Sequence, residues 1–224
     1  MSPLASRWME TPRPATREQL NHGEPTIPRQ AAAVVLLRDT GAEPGMPPPF
    51  ELLLVQRNPA QHFMGGYWVF PGGAVDEGEG EGDVAHRAAA VRELREEAGV
   101  GGVDPAELVK YSRWITPELL RTRFDTHFFL ARAPDGVSAH ADGRECVDLR
   151  WGTPRALLDA HHRDELALVF PTIRQLEQLS GFASIEGLLT HMRAQPIVPM
   201  LPRIVRTGEV ARPYLPGEPG YDAC

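Results

Sequence analysis

Three glutamates, Glu93, Glu96 and Glu97, stand close together in the stretch RELREEAGV and are the residues best suited to chemistry. In a helix, positions i, i+3 and i+4 share one face, within about 100° of each other. Three carboxylates at this spacing repel each other and weaken an isolated helix. A hard divalent cation such as Mg²⁺ or Mn²⁺ would offset that repulsion, because it prefers carboxylate oxygens. The pattern therefore predicts a metal-binding face, and a solvated acidic face is the alternative interpretation.

A single amphipathic helix must carry these glutamates. Asp83 is suited to cap its N-terminus, and Gly99 stands where a left-handed residue often ends a helix. We therefore expect the helix to lie between these two residues, with the glutamates facing away from the core. The apolar stripe expected on its opposite side consists of Val84, Ala88, Val91, Leu94 and Ala98.

The wider stretch from Gly72 to Val100 resembles the Nudix box, the signature sequence of the Nudix family. The positions that match its fixed residues are Gly73, Glu79, Arg92, Glu93, Leu94, Glu96, Glu97, Gly99 and Val100. The box is enlarged, because twelve residues separate Glu79 from Arg92 where the family pattern has seven. The five extra residues lie in a Gly/Glu/Asp run that we interpret as a loop, since loop length changes at small entropic cost. The role of Glu79 stays open.

This resemblance implies hydrolysis of a diphosphate linkage by attack of water on phosphorus, with Mg²⁺ or Mn²⁺ as cofactor. The metal ligands that it implies are the carboxylates of Glu93, Glu96 and Glu97 and the carbonyl oxygen of Gly72. It also implies that Arg92 braces a glutamate through a salt bridge. Glu145, which precedes the segment CVDLRW, and Glu93 both remain candidates for the general base. The candidate catalytic residues are therefore Glu93, Glu97, Arg92 and Glu145.

The segment before the box resembles the signature of the coenzyme A diphosphatases. Arg57, Gly66 and the run FPGG ending at Gly73 have the spacing of that signature. Asn58 stands where the signature has a small residue, and His62 replaces its second arginine. The peroxisomal-type branch of these enzymes also has an enlarged box. The resemblance therefore favours coenzyme A or acyl-coenzyme A as substrate, cleaved to 3′,5′-ADP and (acyl-)phosphopantetheine. The candidate substrate-binding residues are Arg57, His62, Trp68, Arg113 and Arg123.

Three other functions are compatible with the same residues. A broader nucleoside-diphosphate hydrolase would act on ADP-ribose or NADH. A non-catalytic Nudix-fold binding module would not need to keep three mutually repelling glutamates, so the intact trio counts against it. An isomerase on this fold would need a catalytic cysteine in the cleft, and Cys146 is the only cysteine away from the C-terminus.

The apolar pattern predicts an α/β fold, and the Nudix resemblance implies an α/β/α sandwich with a mixed sheet, C-terminal helices and extended N- and C-terminal tails. The expected divisions are an N-terminal tail (1–29), a Nudix hydrolase domain (30–165), a helical C-terminal extension (166–195) and a Pro-rich C-terminal arm (196–224). The predicted strands are 30–38, 50–57, 74–76, 108–115, 124–132 and 145–151. The helices predicted after the box are 154–162, 171–179 and 185–194.

Charge and composition limit the partners of this chain of 224 residues. A net charge of −7 argues against nucleic acid and means that an anionic substrate must meet local positive charge. No apolar run approaches the ~18 residues of a membrane span. Two cysteines far apart give no disulfide framework and favour a reducing, cytoplasmic location. We expect a small-molecule diphosphate as substrate, no membrane partner, and the possibility of a homodimer.

Overall fold

The central strand of the protein, β1, runs through the most apolar part of the sequence. The computed structural model describes residues 20–41, 50–207 and 210–222. Within these residues, eight strands form one mixed sheet in the order β3-β2-β1-β6-β5-β8, with β4 paired to β1 and β7 to β2. These strands are β1 (Arg29–Asp39), β2 (Phe50–Arg57), β3 (Trp68–Val69), β4 (Gly72–Ala74), β5 (Val109–Ile115), β6 (Phe124–Arg132), β7 (Cys146–Gly152) and β8 (Pro199–Met200). β1 is parallel to β6 and antiparallel to β2 and β4, which makes the sheet mixed.

Helices cover both faces of this sheet. Alternate residues of β1 point to opposite faces, so Ala33, Val35 and Leu37 pack into one core and Ala32, Val34 and Leu36 into the other. The helices are α1 (Gly82–Ala98), α2 (Pro154–His162), α3 (Phe170–Leu179) and α4 (Ile185–Arg193). α1 contributes to the second core, and the other three helices contribute to the first. The predicted α/β/α sandwich is therefore confirmed.

Helix α1 differs from the sequence prediction at its start and in its buried stripe. It begins at Gly82, where no side chain caps it, and Asp83 binds Arg87 and Lys110 instead. Val84 is 69% exposed and lies outside the core, because the helix turns a different side toward the sheet. Gly99 ends the helix in the left-handed conformation, as expected, with φ of 66°. The residues on the buried side are Ala85, His86, Ala89, Ala90, Leu94, Glu97 and Ala98.

The two ends of the chain are only partly described. Residues 1–19 of the predicted tail and residues 208–209 and 223–224 of the predicted arm lie outside the described ranges. Within the arm, β9 (Arg203–Thr207) and β10 (Val210–Tyr214) pair as an antiparallel hairpin. None of the helices in the described parts is long and apolar enough to cross a membrane. The proposed domain divisions stay predictions.

Candidate active site

Two glycines of β4 allow helix α1 to approach the sheet. Gly72 and Gly73 pair with Ala33 and Ala32 of β1. A Cβ atom at Gly72 would overlap the backbone of β1, and one at Gly73 would overlap the carboxylate of Glu93. Only glycine leaves room for both contacts. The short strand therefore brings its backbone directly against the glutamate-bearing face of α1.

Glu97 is the most deeply buried of the three box glutamates. Its side chain is 2% exposed, its Oε2 accepts the Gly72 N–H at 2.9 Å, and Arg57 Nη1 lies 3.6 Å from its Oε1. Burial raises its pKa to about 7, although the Gly72 N–H acts in the opposite direction. The Gly72 N–H and the Arg57 guanidinium do not fully compensate the negative charge of Glu97. A bound cation would therefore stabilise its ionised form.

Glu93 lies among other acidic groups on the same side of α1. Burial raises its pKa, the Arg92 guanidinium lowers it, and the charges of Glu96 and Glu145 raise it further. The structure therefore brings Glu145, from the turn before β7, into electrostatic range of the box. This places all four candidate carboxylates, from two separate parts of the chain, in one acidic cluster: Glu93, Glu96, Glu97 and Glu145.

Arg92 holds this side of the helix together. Its Nη1 donates to Glu93 Oε1 at 2.8 Å and to Glu96 Oε2 at 3.0 Å. Its Nε donates to Glu79 Oε1 at 2.9 Å, and its Nη2 donates to the Ala74 carbonyl at 2.9 Å. Glu79, whose role the sequence left open, thus anchors the guanidinium despite the enlarged loop. Residues 75–81 form a loop, as interpreted for the Gly/Glu/Asp run, and the Glu79 side chain attaches this loop to α1. The strand predicted at 74–76 is misplaced, because the structure has it at Gly72–Ala74.

The donor set suits a divalent cation, because its side-chain donors are carboxylates and its backbone donor is a carbonyl oxygen. Among residues 20–41, 50–207 and 210–222, no three His, Cys, Asp or Glu side chains already surround a common metal position. Arg92 instead occupies the space between Glu93 and Glu96. The raised pKa values of Glu93 and Glu97, caused mainly by burial, indicate poorly solvated carboxylates, which hard cations bind well.

The backbone of Gly72 is oriented toward the same place. The Val34 N–H bonds the Pro71 carbonyl, so β1 hydrogen-bonds the residues on either side of Gly72 and not Gly72 itself. The N–H and carbonyl of Gly72 therefore both point away from β1, and the N–H reaches Glu97. This orientation makes the carbonyl available as a metal ligand.

Of the predicted substrate-binding residues, Arg57 lies at the edge of this cluster. Arg57 ends β2, and its guanidinium reaches both Glu97 and the Phe63 carbonyl, the latter at 3.2 Å from Nε. Its side chain keeps 19% exposure. His62 is exposed in the loop between β2 and β3.

The other three predicted substrate-binding residues are engaged elsewhere. Trp68 is 7% exposed and packs in the core beneath α2, α3 and α4, so its ring is not free to stack on a base. Arg123 is buried, and its guanidinium donates to the Thr116 and Thr26 carbonyls. Arg113 forms a two-pronged ion pair with Asp125, at 2.8 and 2.6 Å. The structure corrects the predictions for Trp68 and Arg123, because neither side chain faces an open cleft.

Cys146 is the first residue of β7 and lies against Glu97 in the interior. Burial and the adjacent Glu97 charge raise the pKa of its thiol above the usual range. The thiol therefore stays protonated at neutral pH and is a poor nucleophile or base. The burial of this thiol counts against the isomerase interpretation.

Sequence reasoning missed two residues beside the acidic cluster. Asn58 was noted only as a departure from a signature, and Asp142 was not considered. Both bind the backbone around Glu145. The Asp-Gly pair at 142–143 is a turn signal that could have drawn attention to Asp142.

Comparison with known proteins defines the class to which this fold and site belong. The profile of the NUDIX domain matches residues 28–172. A human acyl-coenzyme A diphosphatase is 25% identical, over 86% of this chain and 80% of its own length. A putative nudix hydrolase of Caenorhabditis elegans is 26% identical, over 68% of this chain and 60% of its own. An RNA pyrophosphohydrolase of Helicobacter pylori is 32% identical over 55% of this chain and 78% of its own.

Solved structures agree with this assignment. The crystal structure of a NUDIX hydrolase from Alicyclobacillus acidocaldarius has a TM-score of 0.65 and 25% identity, and the match covers 76% of this chain and 99% of that one. The chain therefore belongs to the Nudix family. It is a hydrolase that acts on diphosphate bonds.

Proposed function

We propose that the protein is a metal-dependent diphosphatase of coenzyme A or acyl-coenzyme A, with 3′,5′-ADP and (acyl-)phosphopantetheine as products. The main support is the similarity to the human acyl-coenzyme A diphosphatase, which extends over most of both chains. The signature spacing from Arg57 to Gly73 adds to this support. Arg57 at one end of that segment lies 3.6 Å from Glu97 of the box.

In this proposal, Mg²⁺ or Mn²⁺ is held by Glu93, Glu96, Glu97 and the carbonyl oxygen of Gly72. Such an ion, when bound, neutralises charge on the diphosphate and makes water a better nucleophile. The task of Arg92 is to orient Glu93 and Glu96 through the two hydrogen bonds of its Nη1.

Glu145 is the proposed general base. Its side chain is exposed toward solvent, whereas Glu93 is mostly buried and shares a hydrogen bond with Arg92. An exposed carboxylate within reach of the acidic cluster can accept the proton of the attacking water and pass it to solvent. Glu93 is better suited to hold metal, because burial and Arg92 restrict its orientation.

Arg57 supplies the local positive charge that a diphosphate needs in a protein of net charge −7. Its guanidinium already bridges Glu97 and the loop carbonyl of Phe63, so a phosphate oxygen bound beside Glu97 would lie within its reach. His62, in the same loop, is the candidate for a second phosphate contact.

A broader hydrolase of ADP-ribose or NADH is the second candidate function. The observation that favours it is the small number of cations near the site. His62 replaces an arginine of the coenzyme A signature, Arg113 is paired with Asp125, and Arg123 is buried. A substrate without the ribose 3′-phosphate needs fewer cations.

The proposal is tested by product identification. The protein would be incubated with coenzyme A, ADP-ribose and NADH in the presence of Mg²⁺ or Mn²⁺, in water enriched in ¹⁸O, and the products would be weighed by mass spectrometry. We expect 3′,5′-ADP and 4′-phosphopantetheine from coenzyme A, with one ¹⁸O in a single product. Cleavage of ADP-ribose or NADH without cleavage of coenzyme A would select the second function.

A further inference from the structure

The turn before β7 fixes the backbone on either side of Glu145. The carboxylate of Asp142 accepts three backbone N–H groups: Oδ2 accepts those of Arg144 at 3.2 Å and Glu145 at 3.0 Å, and Oδ1 accepts that of Cys146 at 2.7 Å. The Gly143 N–H returns to the Cys146 carbonyl at 2.8 Å. One side chain thus holds the turn from which Glu145 projects.

Asn58 holds the same turn from the opposite side. Its backbone N–H donates to the Glu145 carbonyl at 2.8 Å, and its Nδ2 donates to the Arg144 carbonyl at 2.7 Å. Its Oδ1 accepts the Ala60 N–H at 3.0 Å, which fixes the rotamer of the amide. The N–H and carbonyl of Glu145 are therefore both engaged, one by Asp142 and one by Asn58.

We infer that Asp142 and Asn58 are positioning residues, which hold Glu145 toward the acidic cluster of α1 so that it can accept a proton from the attacking water. The inference rests on the proposed role of Glu145. These hydrogen bonds matter because an exposed turn outside regular structure would otherwise sample many backbone conformations. Displacement of a catalytic group by about 1 Å can cost on the order of a hundredfold in rate.

The chemistry of the two side chains supports this assignment. Burial would raise the pKa of Asp142, but hydrogen bonds from the Glu145, Cys146 and Arg144 N–H groups keep it below the usual range. Asp142 is therefore a carboxylate with two acceptor oxygens at neutral pH, which three donors require. Asn58 gives a reason for the departure from the coenzyme A signature, because a small residue at this position could not reach the Arg144 carbonyl.

The test begins with Asp142→Asn, which keeps the shape of the side chain. An amide has one acceptor oxygen, and its NH₂ group would face backbone N–H donors, so the turn would lose at least one hydrogen bond. We expect kcat for coenzyme A, or for whichever diphosphate the wild type hydrolyses, to fall about tenfold or more, with KM nearly unchanged. Asp148→Asn is the matched control, because among the described residues that carboxylate accepts just the N–H of the adjacent Leu149, and the variant should keep the wild-type kcat.

Coupling to Glu145 separates positioning from general damage. In a Glu145→Gln background, adding Asp142→Asn should lower kcat little further, because the group that Asp142 positions has already lost its function. Equal losses from Asp142→Asn in both backgrounds would overturn the inference. So would an unchanged kcat for Asp142→Asn.

Asn58→Asp provides a second route if Asp142→Asn folds poorly. The new carboxylate can still accept the Ala60 N–H but cannot donate to the Arg144 carbonyl. We expect the same fall in kcat and the same coupling to Glu145→Gln, with a melting temperature lowered by about 2–4 °C for the lost hydrogen bond. If Glu145→Gln has wild-type kcat while coenzyme A is still cleaved, the positioning inference is overturned and the proposed function stands.

Discussion

At the scale of single residues, Glu97 has the least ordinary environment in the site. It is a nearly inaccessible carboxylate, and its partners among the described residues are the Gly72 N–H, the Cys146 thiol and the more distant Arg57 guanidinium. A buried acid in this situation either takes up a proton or binds a cation. Burial is the first cause of the raised pKa of Glu97, about 7, so proton uptake and cation binding compete for this carboxylate.

The first prediction concerns turnover by Glu97→Gln. The amide can still accept the Gly72 N–H, so the fold should be retained, but it is a poor ligand for Mg²⁺ or Mn²⁺. We expect kcat to fall about a hundredfold or more, on the scale of losing a major electrostatic stabiliser. Steady-state kinetics with and without EDTA measure the effect. Full activity of the variant in metal-stripped buffer would contradict a metal role for Glu97.

The second prediction is a pH dependence of stability in the metal-free protein. Glu97 has a pKa of about 7 when folded, against the model value of 4.5, so the folded state binds the proton more tightly. Its contribution to stability is complete below about pH 4.5 and is lost as the pH rises through about 7, by up to about 3 kcal/mol.

Urea unfolding in EDTA at pH 4.5 to 8 checks this dependence. The free energy of unfolding of the wild type should fall relative to that of Glu97→Gln as the pH rises, because the other titrating groups are common to both. Added Mg²⁺ should restore the wild type above pH 7. A constant difference between the two proteins across this range would show that Glu97 ionises normally.

At the scale of elements, the sequence predicts the features that depend on neighbouring residues in the chain. It misses the features that depend on contacts between elements far apart in the sequence. The spacing of RELREEAGV is enough to place the three glutamates on one side of a helix that ends at Gly99. The buried side of α1 depends on how the helix crosses the sheet, so Val84 was misplaced. The burial of Trp68 and Arg123 was missed for the same reason, because the neighbouring sequence does not indicate whether a tryptophan or an arginine is buried. The turn at Asp142 needs contacts with Asn58, eighty-four positions away.

The third prediction tests whether the enlarged box loop is only a spacer. Glu79 anchors Arg92 and also accepts the Asp76 N–H at 2.7 Å, so it closes the loop onto α1. Glu79→Gln should lower the free energy of unfolding by about 1 kcal/mol and the melting temperature by about 2–4 °C.

Glu77→Gln is the matched control for this loop, because Glu77 is exposed. It should leave the melting temperature within about 1 °C, as surface substitutions usually do. Equal melting temperatures for the two variants would mean that the whole segment behaves as a free loop. A large loss from Glu77→Gln would show that the loop packs in a way that the Glu79 contacts do not explain.

At the scale of the whole molecule, a negatively charged protein must receive a substrate with several negative charges. In the proposed function, divalent ions bound at the acidic cluster on α1 meet this need, and Arg57 adds local positive charge at the end of β2. A preference for the more anionic of two diphosphate substrates would depend on this small set of cations. A cytoplasmic location and a homodimer stay predictions.

The fourth prediction is a preference for the 3′-phosphate of coenzyme A. A site built for this group makes a charged hydrogen bond to it, which contributes about 1.5–3 kcal/mol. That free energy corresponds to about ten- to more than a hundredfold in kcat/KM. We expect coenzyme A to be cleaved at least about tenfold more efficiently than its 3′-dephospho form.

His62→Arg should improve coenzyme A cleavage, because arginine carries a permanent charge and a planar set of donors suited to phosphate. Measurement of kcat/KM for both substrates with the wild type and this variant decides the matter. Equal rates on the two substrates, or a loss of activity on introducing the arginine, would favour the broader nucleoside-diphosphate hydrolase.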